Sequence, residues 1–164
     1  MRKLHIPVTG AAALLLSTLA MPIGAQAQAS GAQAAAPQDD EAKKRFVTEF
    51  YNKALNDKDY EAASKYLGDK YIQHNPTAAD GPEGLKGFIE FLKARFPQQH
   101  NEIKHAYVDG DFVILHVHSV REPGTLGRAI VDIFRLENGK VVEHWDVIQD
   151  VADPAGAKNA HGMF

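Results

Sequence analysis

Asp132, His144 and Asp146 stand where plain β-strands would carry Val or Ile, within RAIVDIFRLENGKVVEHWDVIQDV from Arg128 to Val151. Taking an ionisable group out of water is costly unless the protein uses it. Two carboxyls and an imidazole inside apolar strands therefore point to acid–base work. Glu137-Asn138-Gly139-Lys140 separates the two runs, and Asn-Gly between alternating apolar segments is a hairpin signal. The loop then decides which side chains meet. A two-residue loop at Asn138-Gly139 sets Asp132 opposite Trp145 and turns His144 and Asp146 to the other face. A three-residue loop, with Gly139 left-handed in a G1 bulge, sets Asp132 opposite His144 with Asp146 on the same side. A slip of one residue flips every side chain. The three-residue loop is favoured, because it gathers the acid–base groups and leaves Trp145 for the other face.

Each candidate has a structural job as its alternative. A buried Asp132 near other acids would hold its proton to higher pH and act as donor or acid; otherwise it pairs with Arg128 or Arg135. Asp146 has the same two readings, with a neighbouring strand's histidine as its plain partner. His144 is either a proton shuttle or the hydrogen-bond mate of Asp132. His116 and His118, two apart on a strand, share a face and have metal-ligand spacing. With His144 or an aspartate they could hold zinc, but an acid–base or substrate-contact role is preferred, and packing with solvent contact is the plain alternative. No metal is expected. His118 thus joins Asp132 and Asp146 as a candidate catalytic group, and His116 is a substrate contact. His74 and Asn75, ahead of Pro76 at the end of a short strand, read as pocket-rim groups, or Asn75 as an Asx-turn. Tyr51 offers a hydroxyl to the pocket or is core with a wet tip. Phe134, His144 and Trp145 complete the substrate-contact set, although an aromatic placed like Trp145 is more often an outer-face or dimer contact.

Three helices and a short strand must position these strands. Asp39 or Asp40 can cap a helix carrying Phe46, Phe50, Tyr51, Ala54 and Leu55 at helical spacing. Tyr60 to Leu67 reads as a short helix with Gly68 as its C′ glycine. Tyr71-Ile72-Gln73-His74 is extended. Asp80-Gly81-Pro82-Glu83 starts a helix whose stripe is Leu85, Phe88, Ile89, Leu92 and Phe96. From Asn101 the period becomes two, giving one hairpin around Asp109-Gly110 and a second from Arg128 to Val151. The class is α+β: a cone-shaped, curved antiparallel sheet with the N-terminal helices on its concave face.

The chain has 164 residues, no cysteine and a formal net charge of −3. Arg2 and Lys3, an apolar run from Ala11 to Ala20 too short to span a bilayer, and A-x-A sites around Ala27 and Ala29 read as a secretory signal over residues 1–29. The product would be periplasmic or secreted. Cleavage would leave 16 basic against 21 acidic residues, or −5, which speaks against nucleic acid or an anionic membrane as partner. Residues 30–38 read as a flexible leader, 39–152 as one domain and 153–164 as a mobile tail. No Gly-rich phosphate loop, G-x-S-x-G or H-E-x-x-H occurs, which removes nucleotide hydrolases, elbow-type serine esterases and zincins.

Phe50-Tyr-Asn-Lys-Ala-Leu-Asn56, Tyr71-Ile-Gln-His-Asn-Pro76, Val131-Asp-Ile-Phe-Arg-Leu136 and Gly139-Lys-Val-Val-Glu-His-Trp-Asp146 together resemble the nuclear transport factor 2-like superfamily, close to its SnoaL-like branch. The resemblance covers about residues 40 to 150. It implies a cone of sheet closed by helices, a pocket inside it, and a homodimer through the sheet's outer face, for which Val113, Leu115 and Val117 were the apolar positions available. The segments are also similar to ketosteroid isomerase. By position, Tyr51 matches that family's oxyanion tyrosine and Asp132 its protonated aspartic acid. Asn75 replaces the family's catalytic base and cannot take a proton, which speaks against the isomerase's own mechanism. Asp146 resembles the late-strand acid–base aspartate of SnoaL-like cyclases.

The expected function is cofactor-free acid–base catalysis on a small apolar carbonyl or enol compound: isomerisation, dehydration or aldol-type ring closure. The alternatives are a binding module that holds such a molecule unchanged, and a metal-dependent hydrolase or lyase on His116, His118 and His144.

Overall fold

The computed structural model describes residues 39–164; the signal segment and leader expected over 1–38 lie outside them. Helix α1, Asp40–Tyr51, is capped by Asp39, whose Oδ1 accepts from the Ala42 N–H at 2.7 Å. It buries Phe46, Val47, Phe50 and Tyr51, the apolar stripe its spacing foretold, against strands β2, His100–Asp109, and β3, Phe112–Val120. It then widens into a π-helical turn, Asn52–Asn56. Asn56 anchors that turn to the sheet: its Nδ2 donates to the Asn101 carbonyl, and its Oδ1 accepts from the Asn101 backbone and side chain.

Helix α2, Tyr60–Ala63, passes through a 3₁₀ turn into strand β1, Leu67–Gln73. Gly68 is therefore not a helix cap but part of a strand. A Cβ there would stand 2.7 Å from the Val142 Cγ1, so the strand can approach its neighbour only without a side chain. Gly68→Ala is expected to cost about 1–3 kcal/mol, as overpacked cores do. Urea unfolding followed by Trp145 fluorescence checks it, and an unchanged midpoint would refute it.

Helix α3, Gly81–Arg95, buries Leu85, Ile89 and Leu92. Asp80 does not cap it with its side chain; its Oδ1 accepts from the Gln73 N–H at 2.8 Å and so ties the helix start to the end of β1. Strands β4, Arg128–Glu137, and β5, Lys140–Asp150, complete a five-stranded sheet of order β1-β5-β4-β3-β2. β2 to β5 are antiparallel as expected, but β1 joins β5 in parallel, so the sheet is mixed.

Val113, Leu115 and Val117 are fully buried in one cluster with Phe46, Val47 and Phe50. They face the helices, not the outer face assigned to them from the sequence. The β4–β5 loop also differs. Asn138 and Gly139, with φ of 52° and 71°, make a two-residue turn of the primed kind. One extra residue, Val142, then bulges between Val141 and Glu143, so that Arg135 pairs with Glu143 and Asp132 with Asp146. The turn alone would have put Asp132 opposite Trp145. The bulge restores the shared face, with the pairing two residues further along β5 than the three-residue loop gives.

Candidate active site

Inside the curve of the sheet lies a cavity of about 170 Å³, walled by α1, α3, the loop after β1 and the inner faces of β4 and β5. This is below the roughly 300 Å³ at the low end of drug-sized sites, so it suits a compact ligand. Alternation along β4 sends Arg128, Ile130, Asp132 and Phe134 into it, and along β5 His144, Asp146 and Ile148.

The hydrogen-bond order of the site can be read from one backbone group. The Asn75 N–H donates to the Gln73 side chain at 3.0 Å, so the atom receiving it is the amide oxygen. That same Oε1 lies 2.9 Å from the His144 Nδ1, which must therefore carry a hydrogen. The other ring nitrogen, Nε2, is left 3.0 Å from the Asp132 Oδ1, and one proton lies between them. Tyr71 and Phe134 stack on either side of the imidazole, with centroids 6.4 and 4.8 Å away, and hold its plane.

Asp132 is only 4 % exposed, and its Oδ2 is buried with no hydrogen-bond partner. Burial pushes its carboxyl up from the usual aspartate range, and Asp146 adds to this, against the pull of His144 and the nearby Tyr51 hydroxyl. That hydroxyl lies close enough to influence the carboxyl without reaching hydrogen-bond geometry to Oδ2. Burial, followed by the charge of Asp132, pushes the Tyr51 phenol well up in turn, so it stays a donor. Asp146 is half-buried. The Asn75 Nδ2 donates to both its oxygens, at 2.9 and 2.7 Å, while the Asn75 Oδ1 accepts from the Thr77 N–H and hydroxyl and fixes the amide's orientation. Donor atoms of Asp132, His144 and Asp146 lie within 4.8 Å of one another, a set that could also hold a divalent cation.

Of the residues singled out in the sequence, Tyr51, Asn75, Asp132, Phe134, His144 and Asp146 converge on the cavity. His116, His118, His74 and Trp145 do not. His116 pairs with Val131 and His118 with Ala129, between the inward residues of β4, so both point out of the sheet. There they stack on Phe164, at 5.3 and 4.7 Å, and His118 also meets the Leu126 carbonyl. This removes His118 from the catalytic set and His116 from the substrate contacts, and it dissolves the three-histidine metal site. His74 and Trp145 stack on the outer face, 4.4 Å apart and 5° from parallel, with His74 bonded to Glu143. Neither is a pocket group. Arg135 also points outward, to Glu143 and Glu137, and Arg128 forms no ion pair among the described residues, so Asp132 has no arginine partner.

Sequence reading missed Gln73, Tyr71, Arg121 and Arg128 as cavity residues. Strand alternation could have found the first two, because Asn75 shares a face with Gln73 and Tyr71 and not with its neighbour His74.

A family profile described as SnoaL-like domain matches residues 47–144. The chain belongs to the SnoaL-like domain family. Solved structures agree in fold. TsrD from Streptomyces laurentii is 21% identical, with 68% of this chain and 91% of that one covered and a TM-score of 0.57. A candidate polyketide cyclase from Acidithiobacillus ferrooxidans is 20% identical over 65% and 87%, with a TM-score of 0.55. A cystatin-fold protein from Novosphingobium aromaticivorans is 23% identical over 64% and 97%, with a TM-score of 0.56. No curated protein matches in sequence. Membership of this SnoaL-like family, together with ionisable groups gathered in one cavity, supports a small enzyme-like function.

Proposed function

We propose that this SnoaL-like domain is a cofactor-free acid–base enzyme acting on a small carbonyl or enol compound. The observation that carries the reading is the buried, unpartnered Oδ2 of Asp132, a residue that lines the cavity beside Asp146 of the neighbouring strand. A pure carrier gains nothing from a desolvated acid with a free oxygen. In this reading Asp132 is the carboxyl that gives a proton and Asp146 the one that receives it, while the His144 Nδ1–H donates to Gln73 and one proton joins its Nε2 to Asp132.

Asp146 then takes a proton from the carbon beside the substrate carbonyl. The C–H electron pair becomes the C=C bond, and the carbonyl oxygen takes the proton of Asp132, with the Tyr51 hydroxyl as second donor. The site's net charge does not change, since one carboxyl gains the proton that the other loses. His118, on the outer face, has no part in this step. Reversal with protonation at another carbon is an isomerisation; attack of the enol on a second carbonyl is a ring closure.

Titrating 4-nitrophenol, a planar enolate mimic, tests the proposal. Asp132→Asn should weaken binding by about tenfold or more through loss of a donor aimed at the oxyanion. Asp146→Asn should tighten phenolate binding by removing a like charge. Affinity and pH dependence unchanged in both variants would overturn it.

A further inference from the structure

At the other end of the cavity two arginines converge. Arg128 lies four residues before Asp132 on the same strand face, about 13 Å along β4. Arg121 follows the end of β3 two residues after the buried Ser119, whose backbone pairs with Arg128. Neither guanidinium forms an ion pair with any carboxylate among the described residues. The Arg121 Nε is buried with no hydrogen-bond partner, and its guanidinium lies 5.2 Å over the Phe96 ring. Burial, and then the like charge of Arg128, lower its pKa, so the two cations are near enough to repel. Two unpaired, partly desolvated guanidinium groups at one wall are unfavourable unless an anion joins them. Glu122 and Asp150 line the adjoining groove without pairing to either arginine.

We propose that Arg121 and Arg128 form a carboxylate subsite, so that the ligand of this cavity is a compact monocarboxylate. Combined with the acid–base reading above, on which this second half rests, the substrate is an oxo acid: its carboxylate on the arginines and its carbonyl at Asp132 and Tyr51. The carboxylate is an addition to the small apolar carbonyl compound expected from the sequence. The guanidinium fork suits the planar carboxylate, which it can bind through two parallel hydrogen bonds.

Calorimetric titration of the full chain with benzoate and with its uncharged analogue benzamide tests the subsite without any variant. Benzoate should bind about tenfold tighter or more, the size of a charge-assisted hydrogen-bond gain, and should weaken as salt rises. Arg121→Gln and Arg128→Gln should each remove most of that preference. Equal affinity for the two probes, or a preference insensitive to both arginine variants, would overturn the subsite. Inorganic phosphate binding tighter than benzoate would overturn the carboxylate assignment. Failure of the 4-nitrophenol test with the benzoate preference intact would sink the acid–base reading alone, and the converse result the subsite alone.

Discussion

Asp132→Asn is expected to lower turnover of a carbonyl substrate by about 10²- to 10⁴-fold, the range for losing a positioned general acid, while leaving the fold in place. Asparagine keeps the shape, and its carbonyl can still accept from the His144 Nε2, so the contact now made at 3.0 Å survives. What goes is the proton on Oδ2. The same variant gives a stability signature whose sign follows from the raised carboxyl. The folded protein holds that proton more tightly than the unfolded chain, where the ordinary value is 3.8. Protonation therefore stabilises the fold fully below about pH 4, and that contribution is lost as pH climbs through the folded value. Wild type should lose stability relative to Asp132→Asn on going from pH 4 to pH 8. Urea midpoints from Trp145, the chain's one tryptophan, measure this. A difference that stays flat, or that shifts in favour of wild type as pH rises, would show that the carboxyl is not held protonated by burial.

Phe134→Ala should cost about 3–5 kcal/mol, as large aromatic truncations in cores do. Phe134 is buried on β4 and meets Phe50 and Tyr51 edge-on, at 5.7 and 6.3 Å, so it joins sheet to helix. It also lies under the His144 ring. Against a total stability of about 5–15 kcal/mol for a domain, such a loss is a large fraction. Because the ring also keeps the imidazole in plane, any folded fraction should bind 4-nitrophenol more weakly than wild type. A loss below about 1 kcal/mol would mean that the helices do not depend on this contact.

The two arginines and the bulge show where a one-dimensional reading stops. Arg128 has the right alternation to face inward with Asp132, and its charge made it look like that acid's partner. Only the strand's length separates the two, and only the chain's return through β3 brings Arg121 beside it. His116 and His118 misled for the opposite reason. Their spacing does place them on one face, but period two cannot say which face the helices will cover. Val113, Leu115 and Val117, being wholly apolar, won that side.

Taken alone, the amino-acid sequence determined the elements of this protein: a capped amphipathic helix, a proline-started helix, two hairpins, and acids set into apolar strands. These follow from local propensity and periodicity, which act between near neighbours. It also carried the SnoaL-like resemblance through short segments around those acids. The facing of Asp132, His144 and Asp146 was decided only in three dimensions. A two-residue turn and a single bulged valine act together there, and the bulge is stable because Gly68 of a distant strand leaves room for it. Contacts between residues far apart in the chain set the register, and the register sets which groups share the cavity.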